Sequence, residues 1–220
     1  MPTSPQGSHI LSQLLAHPAV ASVYAYSRRE LVNPTASVKL TPITSTDTAE
    51  WPSLFPREMK PRVFWSALGT TKASAGSIEA QRKIDLDLNL ELARAAKDAG
   101  AETYVLISTA NASATAYLAY PKMKGELEEA VKALGFKHTV ILRPGLIVGD
   151  RNESRPAEAA VRSLAKGLRC LTPALTNFWA QDASVIARAA VSAGVMCSEG
   201  KKDAGIWIVN QAEIVALGKA

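Results

Sequence analysis

Residues 104–124 contain two short patterns separated by a polar loop. The first is the apolar run Tyr104-Val-Leu-Ile-Ser108, which is typical of a buried strand. The second is Tyr120-Pro-Lys-Met-Lys124, which opens an amphipathic helix. It places a tyrosine and a lysine on one helix face, one turn apart. A serine at a strand end together with this pair predicts a proton-transfer site.

Tyr120 is the candidate general acid and base of this site. A free phenol has a pKa of about 10, and both a neighbouring ammonium and a helix N-terminus favour the phenolate. Lys124 supplies the ammonium, and Ser108 would hold the substrate oxygen by a hydrogen bond. These three side chains suit proton exchange with the oxygen of a carbonyl or alcohol. The hydride of such a reaction would come from a dinucleotide.

Strand and helix patterns alternate along most of the chain. Apolar runs predict strands at 20–26, 38–43, 62–68, 104–108, 138–142 and 205–209. Helical spacing predicts helices at 8–17, 77–99, 120–134, 156–168, 183–196 and 212–217, after a tail at 1–7. This order predicts an α/β fold with a Rossmann-like, doubly wound parallel sheet. We expect a single domain, 1–220, with a substrate-side segment at 150–205.

Residues 77–99 combine two periodicities. Ile84, Leu86 and Leu88 alternate with acidic residues, which is a strand pattern, but the length and the alanine-rich continuation up to Gly100 favour a helix. On a helix the alternation spreads leucines over more than one face. The helices 77–99 and 120–134 are therefore candidate surfaces for a homodimer.

Composition and charge exclude several classes of protein. The net charge of +5 is modest and its basic residues are scattered, so we expect no nucleic-acid binding. As an alternative, the basic residues of the predicted helix 156–168 could make peripheral contact with an anionic membrane. Cys170 and Cys197 are too few for a metal motif or a disulfide framework, which predicts no metal and an intracellular location.

Five motifs in this order resemble an atypical short-chain dehydrogenase/reductase. They are Leu68-Gly-Thr-Thr71, Ile84-Asp85 with the alanine-rich residues 95–100, Val105-Leu-Ile-Ser108, Tyr120-Pro-Lys-Met-Lys-Gly-Glu126 and Leu142-Arg-Pro-Gly-Leu-Ile-Val-Gly149. The chain is most similar to the family of the Tat-interacting protein and its fungal relatives, which are associated with the mitochondrial outer membrane. The resemblance covers about residues 7–215. It implies an NAD(P)(H)-binding oxidoreductase for a carbonyl or alcohol substrate, peripheral on the mitochondrial outer membrane, with a cytoplasmic location as the alternative.

The resemblance also implies the catalytic residues. Tyr120 would be the general acid and base, and Lys124 would bind the nicotinamide ribose and lower the tyrosine pKa. The third member would be Ser108 or the adjacent Thr109.

The cofactor-binding residues implied by the resemblance lie in several loops. They are Gly7, Arg28, Arg29, Leu68, Gly69, Thr70, Lys124, Pro144 and Gly145. Arg28 and Arg29 suit a 2′-phosphate, which favours NADP(H) over NAD(H). Asp85 or Asn89 would stand where the family has a helix-borne asparagine.

The start of the chain departs from the family pattern. The family opens with an apolar strand and a glycine-rich turn that binds pyrophosphate, whereas only Gly7 of the opening residues matches that turn. We expect the first strand to be absent, either because the sequence lacks its start or because the protein lacks the strand. In the second case cofactor binding would be weakened or lost. The alternative function is then a non-catalytic Rossmann-fold scaffold or interaction protein with two exposed strand edges.

Overall fold

The computed structural model describes residues 5–31, 33, 36–148 and 180–219. Its strands are β1 (Val23–Ser27), β2 (Leu40–Thr44), β3 (Val63–Ser66), β4 (Thr103–Ile107), β5 (His138–Leu142), β6 (Leu146–Val148), β7 (Ala180–Asp182) and β8 (Gly205–Val209). Its helices are α1 (Pro5–Ala16), α2 (Lys72–Ala75), α3 (Ile78–Arg82), α4 (Asn89–Asp98), α5 (Ala119–Ala133), α6 (Ala183–Ser198) and α7 (Gln211–Leu217). A π-helical turn, Lys83–Leu88, joins α3 to α4. The predicted helix 156–168, Cys170 and most of the predicted substrate-side segment lie outside the described residues.

The described strands pair in parallel. Strands β3, β4, β5 and β8 form a sheet in that order, β1 pairs with β2, and β6 with β7. The strands of the larger sheet send alternate side chains to two apolar clusters: Val105 packs with α1 and α6, whereas Leu106 packs with α4 and α5. Helices therefore cover both faces, which confirms the predicted Rossmann-like arrangement. The sequence patterns did not predict the short pair β6–β7.

A gap separates β1 from β3. Among the described residues, β1 has only β2 as a strand partner and β3 has only β4, and residues of both strands line a cleft between them. The gap lies where the first strand of the predicted sheet would run. Two side-chain contacts bridge it instead. On one face α1 packs against both β1 and α6, and on the other the Phe55 ring lies 6.4 Å from Tyr26 of β1 and 5.8 Å from Phe64 of β3.

Helix α1 begins earlier than its apolar spacing indicates. The prediction of a tail at 1–7 is wrong for residues 5–7, which form the first turn of the helix. Proline is favoured at the first helical position because it needs no hydrogen-bond partner there and its φ angle is already helical. Gln6 is buried in this turn.

Pro42 interrupts the sequence pattern of β2 but not its pairing. Val23 donates its N–H to the Lys39 carbonyl at 2.8 Å, and in a parallel ladder the residues that face the partner alternate along each strand. The backbone of Pro42 therefore faces away from β1. Proline is tolerated at such an outer edge because it removes no ladder hydrogen bond.

The π-helical turn explains the mixed periodicity of residues 77–99. A helix is formed, as predicted, but the extra residue in this turn shifts the buried face along the chain. Leu86, Leu88 and Leu92 are consequently all buried within one chain, whereas Asp87 and Glu91 are exposed. The leucines thus have partners without a second subunit, and the homodimer stays a prediction.

Replacing Phe55 by alanine tests the aromatic bridge across the gap. We expect Phe55→Ala to lower the free energy of unfolding by about 3–5 kcal/mol and to accelerate amide hydrogen exchange selectively in β1 and β2. Phe136→Ala is the matched control, because Phe136 is equally buried but contacts Tyr104 on the other side of β3. Equal acceleration of exchange in β1 by both variants would contradict the bridge.

Candidate functional site

A cleft of about 1720 Å³ opens at the carboxyl ends of β3 and β4 and continues into the gap beside β1. Most of the site residues predicted from the sequence line it. They are Gly7, Arg28, Leu68, Gly69, Thr70, Ser108, Thr109, Tyr120, Lys124 and Gly145. Arg29 and Pro144 are not among the lining residues. Residues far apart in the sequence therefore meet at the edge of the sheet where ligands bind in open α/β folds.

Ser108 is held from two sides just after β4. Its N–H donates to the Leu142 carbonyl at 2.8 Å, which extends the pairing of β4 with β5. Its hydroxyl donates to Glu128 Oε1 at 2.5 Å. Since a hydroxyl has one proton, Ser108 can only accept a further hydrogen bond in this arrangement.

Glu128 is a buried carboxylate paired with an arginine. It is 1% exposed, and Arg143 donates to it through Nε at 3.2 Å and Nη2 at 2.5 Å. The pair raises the pKa of Arg143, mainly through the hydrogen bond to Glu128. Sequence reasoning missed this pair, although Glu128 follows Lys124 by one helical turn and so shares its face.

Lys124 is 3% exposed, and its Nζ donates to the carbonyl oxygen of Ile107 at 2.9 Å. Burial lowers the pKa of Lys124, and the negative charges of Asp85 and Glu128 oppose that shift. Its ammonium thus joins helix α5 to the end of β4, at the floor of the cleft.

Tyr120 lies in the first turn of α5 and is 43% exposed, at the surface of the cleft. It stands one helical turn before Lys124. The start of α5 lies against the loop after β4 because Gly125 has no side chain: a Cβ there would lie 2.1 Å from the carbonyl carbon of Ser113. The glycine in the tyrosine–lysine motif is therefore required by close backbone contact.

Asp85, in the π-helical turn, organises the loop after β3. Its Oδ1 accepts the Thr70 N–H at 2.6 Å, and Gln81 donates to its Oδ2 at 3.4 Å and to the Thr70 carbonyl at 3.1 Å. Burial raises the pKa of Asp85, while the Thr70 hydrogen bond and the charge of Lys124 lower it. Asp85 is not a lining residue of the cleft, so it supports the loop from below.

Asn89 has a similar supporting position. Its Oδ1 accepts a 2.5 Å hydrogen bond from the Ser66 hydroxyl at the end of β3. Its amide donates to the carbonyls of Ile84 at 3.1 Å and Leu68 at 3.4 Å. Neither Asn89 nor Asp85 reaches the cleft surface, although both fix the chain that forms it.

Arg28 and Gly7 lie at the β1 side of the cleft. Arg28 is exposed and follows β1, whereas the adjacent Arg29 is exposed outside the lining. Gly7 belongs to the first turn of α1, and backbone N–H groups of a first helical turn favour anions. Among the described residues, no group of three or more His, Cys, Asp or Glu side chains could hold a metal ion.

The raised pKa of Asp85 gives a pH-dependent prediction. Because the folded state binds this proton more tightly than the unfolded chain, Asp85 costs stability above its folded pKa. The cost disappears as the pH falls through that pKa towards the ordinary value of 3.8. We expect Asp85→Asn to abolish this pH-dependent change in the free energy of unfolding. The change amounts to about 1.4 kcal/mol per unit of pKa shift. Wild type would then gain stability relative to the variant as the pH is lowered from 7 to 3.5.

Urea unfolding at a series of pH values measures this difference. Asp87→Asn is the matched control, because Asp87 lies two residues away on the exposed side of the same turn. Parallel pH curves for wild type and Asp85→Asn would show that Asp85 does not titrate as expected.

Solved structures share this fold at low sequence identity. A UDP-Glc/GlcNAc 4-epimerase from Campylobacter jejuni superposes with a TM-score of 0.65 at 15% identity, covering 96% of this chain and 78% of that one. MoeE5 in complex with UDP-glucose and NAD gives a TM-score of 0.63 at 17% identity, covering 97% and 77%. WbmH from Bordetella bronchiseptica, in complex with NAD+, gives 0.62 at 16% identity, covering 93% and 71%. These similarities show a Rossmann-type fold.

Sequence comparison finds the fungal mitochondrial relatives that the motifs indicate. Protein fmp52-1, mitochondrial, from Aspergillus oryzae is 52% identical over 217 residues, which cover 96% of this chain and 92% of that protein. Protein fmp-52, mitochondrial, from Neurospora crassa is 43% identical, over 97% of this chain and 90% of that protein. The HIM1 family profile matches residues 58–175. The chain therefore belongs to the HIM1 family.

Proposed function

We propose that this protein is an NADP(H)-dependent oxidoreductase that acts on a carbonyl or alcohol substrate. One observation carries the proposal: the predicted proton-transfer residues and most of the predicted cofactor residues line a single cleft at the carboxyl ends of parallel strands. The NAD bound to MoeE5 and WbmH supports a dinucleotide as the ligand class. Such a cofactor supplies the hydride when it is bound.

The residues around the cleft fit a dinucleotide. The first turn of α1, with Gly7 at the cleft, would bind the pyrophosphate through backbone N–H groups. The loop of Leu68 to Thr70 would lie along the adenosine side, where Asp85 holds it by the Thr70 N–H. Exposed Arg28 would pair with a 2′-phosphate. This last contact is the reason for preferring NADP(H).

Tyr120 would exchange the proton with the substrate oxygen, since its phenol is exposed in the cleft. Lys124 would act from beneath it as a positive charge, which favours the phenolate. Ser108 uses its hydroxyl proton in the hydrogen bond to Glu128. Thr109, the adjacent lining residue, is therefore the better candidate for donating a hydrogen bond to a substrate carbonyl.

A non-catalytic scaffold is the second candidate function. It is favoured because two predicted catalytic side chains already make hydrogen bonds within the protein: Lys124 donates to the Ile107 carbonyl, and Ser108 donates to Glu128. Among the described residues, no strand pairs with β1 on the side that faces β3, where the cofactor would lie. In this reading the fold is retained while the cleft does not turn over a substrate.

Cofactor titration distinguishes the two candidates. We expect NADPH to raise the melting temperature of the chain and to bind more tightly than NADH. Arg28→Ala should reduce the preference for NADPH about tenfold, which corresponds to one charge-assisted hydrogen bond. Arg29→Ala is the matched control and should leave it unchanged, since Arg29 lies outside the cleft lining. No response to millimolar NADPH would exclude the enzyme.

Substitution of Tyr120 tests the chemistry itself. In a screen of aldehydes and ketones followed by NADPH oxidation, we expect Tyr120→Phe to lower kcat about 10²–10⁴-fold with an unchanged Kd for NADPH. Tyr117→Phe is the control, because Tyr117 lies in the same loop-to-helix region and is fully exposed. If wild type binds NADPH but Tyr120→Phe retains full activity, Tyr120 is not the acid.

The relatives named above are mitochondrial proteins. We propose a peripheral association with the mitochondrial outer membrane, with the cytoplasm as the alternative location. In the part of the chain that the structure describes, no helix has the length and apolar character needed to cross a membrane. Membrane contact through residues 156–168 falls outside that part and stays a prediction.

A further inference from the structure

Glu128 is a buried acid next to the candidate site. Its side chain is 1% exposed, and it lies on α5 one helical turn after Lys124 and two turns after Tyr120. Apolar side chains of similar volume often hold a fold as well as a buried ion pair does. The pairing of Glu128 with Arg143 is therefore not explained by stability alone.

The two carboxylate oxygens of Glu128 bind groups from two neighbouring strands. Its Oε1 accepts the Ser108 hydroxyl at 2.5 Å and Arg143 Nε at 3.2 Å, and its Oε2 accepts Arg143 Nη2 at 2.5 Å. Ser108 directly follows β4, and Arg143 directly follows β5. One carboxylate on α5 thus ties together the loops that leave two adjacent strands.

These two loops carry residues that we propose to contact the substrate and the cofactor. Thr109 lies in the loop after β4, and Pro144 and Gly145 lie in the loop after β5. The loops also contact each other, because Ala110 donates its N–H to the Pro144 carbonyl at 2.8 Å. A displacement of the Glu128 carboxylate would therefore move both loops relative to α5.

Glu128 also acts on Lys124 through its charge. The Lys124 ammonium donates to the Ile107 carbonyl of β4 at 2.9 Å. The charged groups that act on it are Asp85 from the π-helical turn and Glu128 from its own helix. Burial lowers the pKa of Lys124, and both carboxylates oppose this shift. Tyr120, one turn earlier on α5, is the titratable group that depends on the charge of this lysine.

We propose that Glu128 is a positioning residue of this site, which holds the loops after β4 and β5 against α5 and keeps a negative charge beside the Lys124 ammonium. This role rests on the proposed oxidoreductase function. Glu128 is not a lining residue of the cleft, so it acts through Ser108, Arg143 and Lys124. Without its charge the buried lysine would lose its proton more readily and would no longer favour the Tyr120 phenolate.

The ionisation of Lys124 can be measured without any turnover. In protein labelled with 13C at the lysine Cε atoms, the Cε chemical shift follows the charge of each lysine, and Lys124→Arg identifies the Lys124 signal by its loss. Glu128→Gln removes the negative charge at nearly constant volume and leaves Arg143 as an unbalanced cation, and both changes disfavour the ammonium. We expect Lys124 in this variant to titrate at lower pH than in the wild type. The ratio of charged to neutral lysine should be about tenfold smaller at a given pH.

Turnover provides the second measurement. In the reduction of an aldehyde by NADPH at pH 7, we expect Glu128→Gln to lower kcat about tenfold to a hundredfold, because small displacements of the groups around the reacting atoms have effects of this size. The Kd for NADPH should change little, since Gly7 and Arg28 lie at the opposite, β1 side of the cleft. A side chain that only stabilised the fold would lower the melting temperature without changing the Lys124 titration.

Further variants separate charge from shape. Glu129→Gln removes the same charge from the next residue of α5, whose side chain is 64% exposed and pairs with Lys132, and should leave both measurements unchanged. Glu128→Asp keeps the charge and should titrate Lys124 close to the wild type. If Glu128→Gln does not fold because Arg143 is unpaired, the double variant Glu128→Gln/Arg143→Gln removes that cation. Lys124 should still titrate at lower pH in the double variant, since the carboxylate that favours its ammonium is absent.

Identical Lys124 titrations in wild type and Glu128→Gln would overturn the role of Glu128, as would an unchanged kcat in that variant. Either result leaves the proposed function standing if the wild type reduces the aldehyde. A wild type that reduces no aldehyde or ketone would overturn the proposed function and the role of Glu128 together. A Lys124 titration at lower pH, with a reduced kcat and an unchanged affinity for NADPH, supports the proposal.

Discussion

The absence of hydrogen bonds between β1 and β3 is the constraint on which the rest of the structure depends. Backbone pairing normally gives a sheet directional, cooperative cohesion. Here the β1–β2 pair is joined to the described four-stranded sheet through side chains: α1 packs on one face, and Phe55 lies between Tyr26 and Phe64 on the other. Apolar contacts of this kind are strong but weakly directional. The β1 side of the cleft, where we propose that the cofactor binds, is therefore held by packing, whereas the side that carries Ser108, Tyr120 and Lys124 is held by a hydrogen-bonded sheet.

Buried charged side chains hold the part of the cleft that carries the proposed proton-transfer residues. Lys124, Asp85 and Glu128 are all almost completely buried, and each satisfies its charge with named partners. A buried ammonium without such partners would lose its proton or destabilise the fold. The two carboxylates oppose the lowering of the Lys124 pKa by burial, and the carbonyl of Ile107 fixes the position of the ammonium. The same contacts that would prepare Tyr120 for chemistry also tie α5 to β4 and to the loop after β3.

Much of this fold could be predicted because its strands are buried on both faces. Apolar runs such as 104–108 and 138–142 predict central parallel strands directly, and the spacing of Tyr120 and Lys124 places them on one helix face. Other features leave no such pattern. The ion pair of Glu128 with Arg143 joins residues from different elements, and the contacts of Asp85 below the Thr70 loop depend on tertiary packing. A three-residue strand such as β6 is too short for periodicity to detect.

The π-helical turn at Lys83–Leu88 makes the site depend on the number of residues in this turn as well as on their side chains. An extra residue in one turn is accommodated there, and Asn89 caps it by donating to the Ile84 carbonyl. Deleting one residue would restore regular α-helical turns and rotate everything before α4 by about 100° about the helix axis. Asp85 would then leave the Thr70 loop while every remaining residue kept its identity. An insertion or deletion of one residue in this turn would therefore disturb the site more than most exchanges of side chain.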